Sequence, residues 1–221
     1  MITVYGEGRG FRIVWLLEEM GLSYRLRSVD LLADVSKDTE FMAVNPAGYI
    51  PALVDGDATM VESIAIMEYL LARYAPNPLA PLPDDPEFPA YQQFLHLGEA
   101  GLMMPMHVAF MSHVLAPENE RNDWSARNAV EIFKRRLVLV TRQLARSPYL
   151  AGDTFTAADI SVGYSLIWVK RCKLFDFGKI ELAYIERLLA RDGYKRAMAV
   201  CHDTRNWDVS VSSADAAAAR A

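Results

Sequence analysis

Four short stretches carry residues that could do chemistry. The first, Tyr5 to Gly21, reads YGEGRGFRIVWLLEEMG. Its loop offers a guanidinium at Arg9, main-chain donors at Gly8 and Gly10, a carboxylate at Glu7 and the phenol of Tyr5 at its entrance, but no serine, threonine or cysteine. Glycines ahead of a helix can turn backbone N–H groups towards an anion at the helix N-terminus. The second, Tyr49-Ile50-Pro51, is a turn leading into an extended run. The third, Glu62-Ser63, opens a helical stripe. There the serine hydroxyl caps the helix and, with nearby amides and the helix dipole, suits an anion; the glutamate suits a cationic group. The fourth gathers Met103, Met104, Met106, His107 and Phe110 around Pro105. Methionines adapt to varied apolar ligands.

These stretches need elements to position them. Ile2 to Tyr5 is a short β-branched and aromatic run, hence a strand. Phe11, Val14, Trp15 and Leu17 recur at helical spacing, and Gly21 sits where a helix would end. Tyr24, Leu26 and Val29 alternate as a second strand, and Asp34 to Val44 is a weaker helix. Two apolar runs around Asp55-Gly56 give a hairpin. Ile64, Met67, Leu70 and Leu71 form the stripe of a helix that stops before Pro76. The order β-α-β-α-β-β-α, with helices joining strands, is that of a thioredoxin-like domain over residues 1–75.

Residues 76–89 hold six of the eleven prolines and read as an extended linker. Residues 90–207 read as all helix. Asp85 and Pro86 start the first of these helices as cap and first-turn proline, and Pro105 kinks it by clashing with the carbonyl of Gly101. Ala126, Val130, Phe133, Leu137, Val140 and Leu144 make the cleanest stripe. Phe155-Thr156-Ala157-Ala158-Asp159-Ile160 is a capping box with a staple, and two more helices follow before Trp207. Residues 208–221, rich in alanine, show no packing pattern and read as a flexible tail.

Composition narrows the function classes. The 221 residues are 52% hydrophobic and 23% charged, enough apolar material for a core. A net charge of −5 with no basic stretch argues against nucleic acid. No apolar run approaches the ~18 residues that span a bilayer, so no membrane is expected. The first residues enter a strand pattern directly, with no signal-peptide pattern, and the expected location is the cytoplasm. Cys172 and Cys201 are too few and too isolated for a disulfide framework or a zinc site, and no metal is expected.

Residues 41–70, FMAVNPAGYIPALVDGDATMVESIAIMEYL, resemble the glutathione-site block of the cytosolic glutathione transferase family. YLAGDTFTAADIS resembles the capping segment of its helical domain, and RIVWLLEEMGLSY resembles the first helix of its bacterial members. The resemblance covers about residues 1–205. It implies the glutathione transferase fold: an α/β thioredoxin-like N-terminal domain plus an all-α C-terminal domain. It implies glutathione as co-substrate, a small electrophile bound between the halves near Met103, Met104, His107 and Phe110, a homodimer, and a role in detoxification.

It also assigns roles. The proline matching Pro51 has a cis peptide bond in the family, which leaves the main chain of Ile50 to pair with the cysteinyl unit of glutathione as an added strand. Glu62 and Ser63 take the ammonium and carboxylate of the γ-glutamyl end. Tyr49 stands where many members carry a lysine for the glycyl carboxylate, leaving Arg9 to compensate. Relatives reading Ser-Arg-Ser-x-Arg align with Gly8-Arg9-Gly10-Phe11-Arg12, so Gly8 replaces the activating serine. The candidates to stabilise a thiolate are the loop amides at Gly8 and Gly10 with Arg9 first, and Tyr5 second. A carboxylate at Glu7 would oppose them. A glutathione-dependent peroxidase or reductase, an isomerase, an ether-cleaving enzyme and a non-catalytic glutathione-binding scaffold are the alternatives on the same fold.

Overall fold

The computed structural model describes residues 1–31, 33–121, 123–202 and 209–211. The chain divides into two compact units, Met1–Asn77 with Ala190–Ala221, and Pro78–Leu189. The division falls inside the proline-rich stretch.

The first unit begins with β1 (Ile2–Tyr5), α1 (Phe11–Met20) and β2 (Tyr24–Arg27). β1 and β2 are parallel, as a helical crossover requires. Gly21 ends α1 in the left-handed conformation, φ 66°, which glycine adopts without cost. α2 (Thr39–Val44) follows, capped by the Asp38 carboxylate on the Phe41 N–H at 3.0 Å. Arg27 donates to both carboxylate oxygens of Asp38 at 2.8 Å, which ties α2 to β2. β3 (Ala52–Asp55) and β4 (Ala58–Val61) form the antiparallel hairpin, with Gly56 at φ 61° in its turn. α3 (Ser63–Arg73) completes the run, and the Tyr69 and Tyr74 hydroxyls donate to Asp55 at 3.1 and 2.7 Å, bracing α3 against the hairpin.

Register fixes where chemistry can occur. Tyr5 pairs with Ala52, and Ala52 with Val61. Gly6, Pro51 and Glu62, each one residue beyond those partners, therefore meet at one end of the sheet.

In the second unit α4 runs Phe88–His96, two residues later than an Asp85-Pro86 start. Asp85 instead closes the preceding turn: its carboxylate accepts the Leu82 N–H at 2.6 Å and its carbonyl the Phe88 N–H at 3.1 Å. Pro105 lies one residue into α5 (Met104–Phe110), and the chain before it, Leu97–Met103, widens to π-helix. The carbonyl that proline cannot engage, that of Gly101, accepts from Arg136 Nη1 at 3.1 Å. α6 (Asp123–Leu144) carries Arg136 and turns Ala126, Phe133, Leu137 and Val140 inward. α7 (Ala157–Arg171) is buried along most of its length, and α8 (Lys179–Leu189) packs against it. Asp159 accepts the Thr156 N–H at 2.9 Å, the reciprocal half of the capping box.

α9 (Asp192–His202), which the sequence pattern places with the helical half, packs on α1 in the first unit. Tyr194 meets the rings of Trp15 and Phe11 edge-on at 5.0 and 5.5 Å. Arg191 and Arg196 bind Glu19 and Glu18 at 2.8 Å. Every residue of α1 from Phe11 to Glu18 is buried, with α3 packed on the helix as well as α9. The expected tail, 208–221, holds a strand instead at Val209–Val211: β5 pairs antiparallel with β2 and gives the sheet order β4-β3-β1-β2-β5. Residues 208 and 212–221 lie outside the described ones. No helix among the described residues is long and apolar enough to cross a membrane.

Candidate functional site

The end of the sheet where β1 stops is built from glycine. Gly6 has φ 83°, a conformation L side chains rarely adopt. A Cβ there would fall on Ile50 Cγ2 and lie 2.6 Å from Ile50 Cβ. At Gly8 a Cβ would approach Ile50 Cδ1 at 3.0 Å, and at Gly10 it would sit 3.4 Å from Pro51 Cβ. The opening loop and the Ile50-Pro51 turn are thus in direct contact. Gly8 is solvent-exposed and Gly10 buried, within a 3-10 turn that runs straight into α1.

The turn before Pro51 is held from within. Asn45 is buried; its side chain accepts the Ala47 N–H at 3.1 Å and donates to the Tyr49 carbonyl at 2.6 Å. The Ile50–Pro51 bond is cis, and β3 begins only at Ala52. Ile50 therefore lies outside the ladder, half-buried, beside the glycine loop.

Across the sheet end, Glu62 has φ 69° and ψ 110°, an uncommon conformation for a residue with a Cβ. It turns the chain sharply from β4 into α3, so that Ser63 becomes the first helical residue, 4% exposed. The Tyr49 hydroxyl donates to Glu62 Oε1 at 3.3 Å, which links the second and third stretches. Arg12, on the first turn of α1, is fully buried, and its Nη1 donates to Ser63 Oγ at 3.4 Å. Arg9, half-buried, stands in the loop above.

The structure thus gathers Gly8, Gly10, Tyr49, Ile50, Pro51, Glu62 and Ser63 at one sheet end. It turns Tyr5 elsewhere. That phenol is 5% exposed, stacks on Phe41 at 6.1 Å and donates to Glu40 at 3.2 Å. Burial, then the neighbouring Glu40 carboxylate, raises its pKa. Glu7 accepts a hydrogen bond from the Ser28 hydroxyl.

Two family models match the chain: "Glutathione S-transferase, N-terminal domain" over residues 2–72 and "Glutathione S-transferase, C-terminal domain" over 119–201. A Schizosaccharomyces pombe protein named glutathione S-transferase 3 is 30% identical over 175 residues, covering 74% of this chain and 71% of the relative. The chain belongs to the glutathione S-transferase family. A solved glutathione transferase from Methylococcus capsulatus str. bath is 28% identical with a TM-score of 0.78, covering 91% of this chain and 99% of that one. A theta class glutathione S-transferase from Xanthomonas axonopodis pv. citri, solved with glutathione bound, is 27% identical with a TM-score of 0.72, over 89% and 96% of the two chains.

In this transferase the residues expected around an electrophile divide. Met103 is 2% exposed and belongs to the second unit's core. Met104 is exposed, and His107 and Phe110 are half-buried, with Phe110 edge-on to Trp168 at 5.2 Å. Arg12 is the site residue that sequence reading overlooks. Its signal is a cation inside an otherwise apolar helical turn, and its burial comes from chain distant in sequence.

Proposed function

We propose that this transferase adds the thiolate of glutathione to small apolar electrophiles. The main chain of Ile50 pairs with the cysteinyl unit, and Ser63 with the α3 N-terminus takes the γ-glutamyl carboxylate. Glu62 takes the ammonium, and Tyr49 with Arg9 the glycyl end. The loop amides at Gly8 and Gly10 with Arg9 stabilise the sulfur. The electrophile's contacts are assigned to Met104, His107 and Phe110 on the second unit. A homodimer in the cytoplasm completes the reading.

The observation that carries it is the meeting of a glycine loop, an unladdered Ile50 and a buried serine at a helix N-terminus on one sheet end. Cysteine-based reductase chemistry is disfavoured. Burial raises the Cys172 thiol, and burial with the Glu7 and Glu18 carboxylates pushes Cys201 up to about 12, so the surroundings of both work against a thiolate.

Free thiol titrates near ~8.5, and one charge-assisted hydrogen bond worth ~1.5–3 kcal/mol would bring it down by about one to two pH units. Ultraviolet thiolate absorbance of the bound tripeptide is therefore expected to titrate at about 6.5–7.5. Calorimetry on Ser63→Ala is expected to show glutathione bound ~10-fold or more weakly. An unshifted thiol with intact binding would make the protein a scaffold. No heat with millimolar glutathione would end the reading. With the thiol shifted, a panel of alkyl and aryl halides, peroxides, disulfides, isomerisable substrates and ethers sorts transfer from the other reactions.

A further inference from the structure

The turn proposed to face the sulfur has no cap of its own. Gly8–Gly10 form a 3-10 turn that runs into α1, and neither N-cap residue fastens the start: Glu7 makes no side-chain capping hydrogen bond, and Gly10 has no side chain to make one. What closes the turn is Phe11, the first residue of α1, whose N–H donates to the Glu7 carbonyl at 2.7 Å. Its ring is buried and is gripped from α9. Tyr194, also buried, meets Phe11 edge-on at 5.5 Å and Trp15 edge-on at 5.0 Å.

Phe11, Trp15 and Glu19 are four residues apart, one stripe of α1 that faces α9. Trp15 is fully buried, and its Nε1 donates to Glu19 Oε1 at 3.0 Å. Arg191 donates to both Glu19 carboxylate oxygens at 2.8 Å. The chain lies so close there that a Cβ at Gly193 would stand 2.5 Å from Glu19 Cδ. Charge thus seats α9 on the last turn of α1, and Tyr194 carries the hold back to the first turn, where the glycine turn ends. A hydrogen bond weakens steeply as its length and angle leave the optimum, so donors aimed at a thiolate act only while the turn stays in place. The tripeptide's other contacts, at Ile50, Glu62 and Ser63, lie on separate elements.

Resting on the glutathione reading above, we propose that Tyr194 is a positioning residue for the transfer: through the Phe11 ring it holds the Gly8–Gly10 turn in the orientation that stabilises the thiolate, and so governs turnover more than affinity.

The test uses Tyr194→Leu, Tyr194→Phe and, as a control, Arg191→Met, which loosens α9 from Glu19 without touching Phe11. Melting curves report stability, and calorimetry with S-methylglutathione reports affinity without an ionising thiol. Ultraviolet absorbance titrates the bound glutathione thiol, and an activated aryl halide reports turnover. Tyr194→Leu is expected to raise the bound thiol's pKa by about one pH unit and to lower kcat ~3–10-fold at a pH of about 6.5, with S-methylglutathione bound within ~3-fold of the wild type. Tyr194→Phe keeps the ring contact and is expected to match the wild-type titration; Arg191→Met is expected to lose stability with its bound thiol unmoved. A Tyr194→Leu thiol that titrates as in the wild type, or an equal displacement in Arg191→Met, overturns the proposal and leaves the glutathione reading intact. If Tyr194→Leu does not fold, Phe11→Leu removes the other ring of the contact and is judged by the same readings. A wild type whose bound thiol titrates like free thiol overturns the thiolate reading and this proposal with it.

Discussion

Asp159→Ala is expected to lower the folding stability of the protein by about 4–6 kcal/mol, a large share of the ~5–15 kcal/mol that holds a domain folded. The side chain is wholly buried. Its Oδ1 accepts the Leu150 N–H at 3.0 Å and the Tyr184 hydroxyl at 2.8 Å. Its Oδ2 accepts the Thr156 N–H at 2.9 Å and the Thr156 hydroxyl at 3.3 Å. Removing the carboxylate orphans four buried donors on three segments at once, each costing ~1–3 kcal/mol unless water enters the space. One residue thus joins the start of α7, the loop at Leu150 and the middle of α8. Urea unfolding followed by circular dichroism measures the loss; a change under about 1 kcal/mol would mean the network is not the joint that the geometry indicates.

The same group gives a pH dependence. Burial outweighs the four donors and pushes the Asp159 pKa from 3.8 up to about 6. Between those values the folded chain holds a proton that the unfolded chain has released. Stability from this group is therefore fully present below the unfolded pKa and is lost as pH rises through about 6. Asp159→Asn cannot titrate. Its stability deficit relative to the wild type is expected to widen by about 2 kcal/mol as pH falls from 7 to 4.5, read from paired urea curves. A deficit constant over that range would place the folded pKa near its ordinary value.

Much of this was legible because it is local. The Asp55-Gly56 hairpin, the left-handed end of α1 at Gly21 and the Thr156-Asp159 capping box each follow from a few neighbouring residues whose conformational preferences agree with the fold. The site's main chain was legible for the same reason: Ile50-Pro51 and Glu62-Ser63 are short signatures of a turn and a helix start. What stayed hidden depends on distant chain. α9 reaches α1 from some 170 residues away, so the burial of the charges on α1 cannot be read from neighbouring residues. Glu7 reads as a free carboxylate beside the loop until Ser28, on a neighbouring segment, is seen to donate to it; the hydrogen bond keeps the negative charge, so its opposition to a thiolate stands. Tyr5 reads as a donor to the site until strand alternation sends its ring to the α2 side, against Phe41 and Glu40. Proline at 105 announces a disturbance, but only the partner helix shows that Arg136 satisfies the carbonyl it strands.

The loop's glycines are not equivalent, and a pair of substitutions separates geometry from chemistry. Gly6→Ala is expected to weaken glutathione binding by ~30-fold or more, because two main-chain hydrogen bonds of ~1 kcal/mol each would be lost. The new methyl meets Ile50 at its Cβ and Cγ2, next to the backbone, so no rotamer change clears it. Residue 6 also keeps its N–H on the Arg27 carbonyl at 2.8 Å and its φ at 83°, so it cannot swing aside; an alanine held there costs ~1–2 kcal/mol in addition. The strand-like edge at Ile50 must move instead. Gly8→Ala meets only the Cδ1 tip of Ile50 at 3.0 Å, which can rotate, and it keeps the amide proposed to face the sulfur. Its glutathione affinity is expected to stay within ~3-fold of the wild type. Calorimetry on the two variants, with melting curves to correct for stability, distinguishes the cases. If Gly6→Ala bound as tightly as Gly8→Ala, the main chain of Ile50 would not be the surface on which the tripeptide lies.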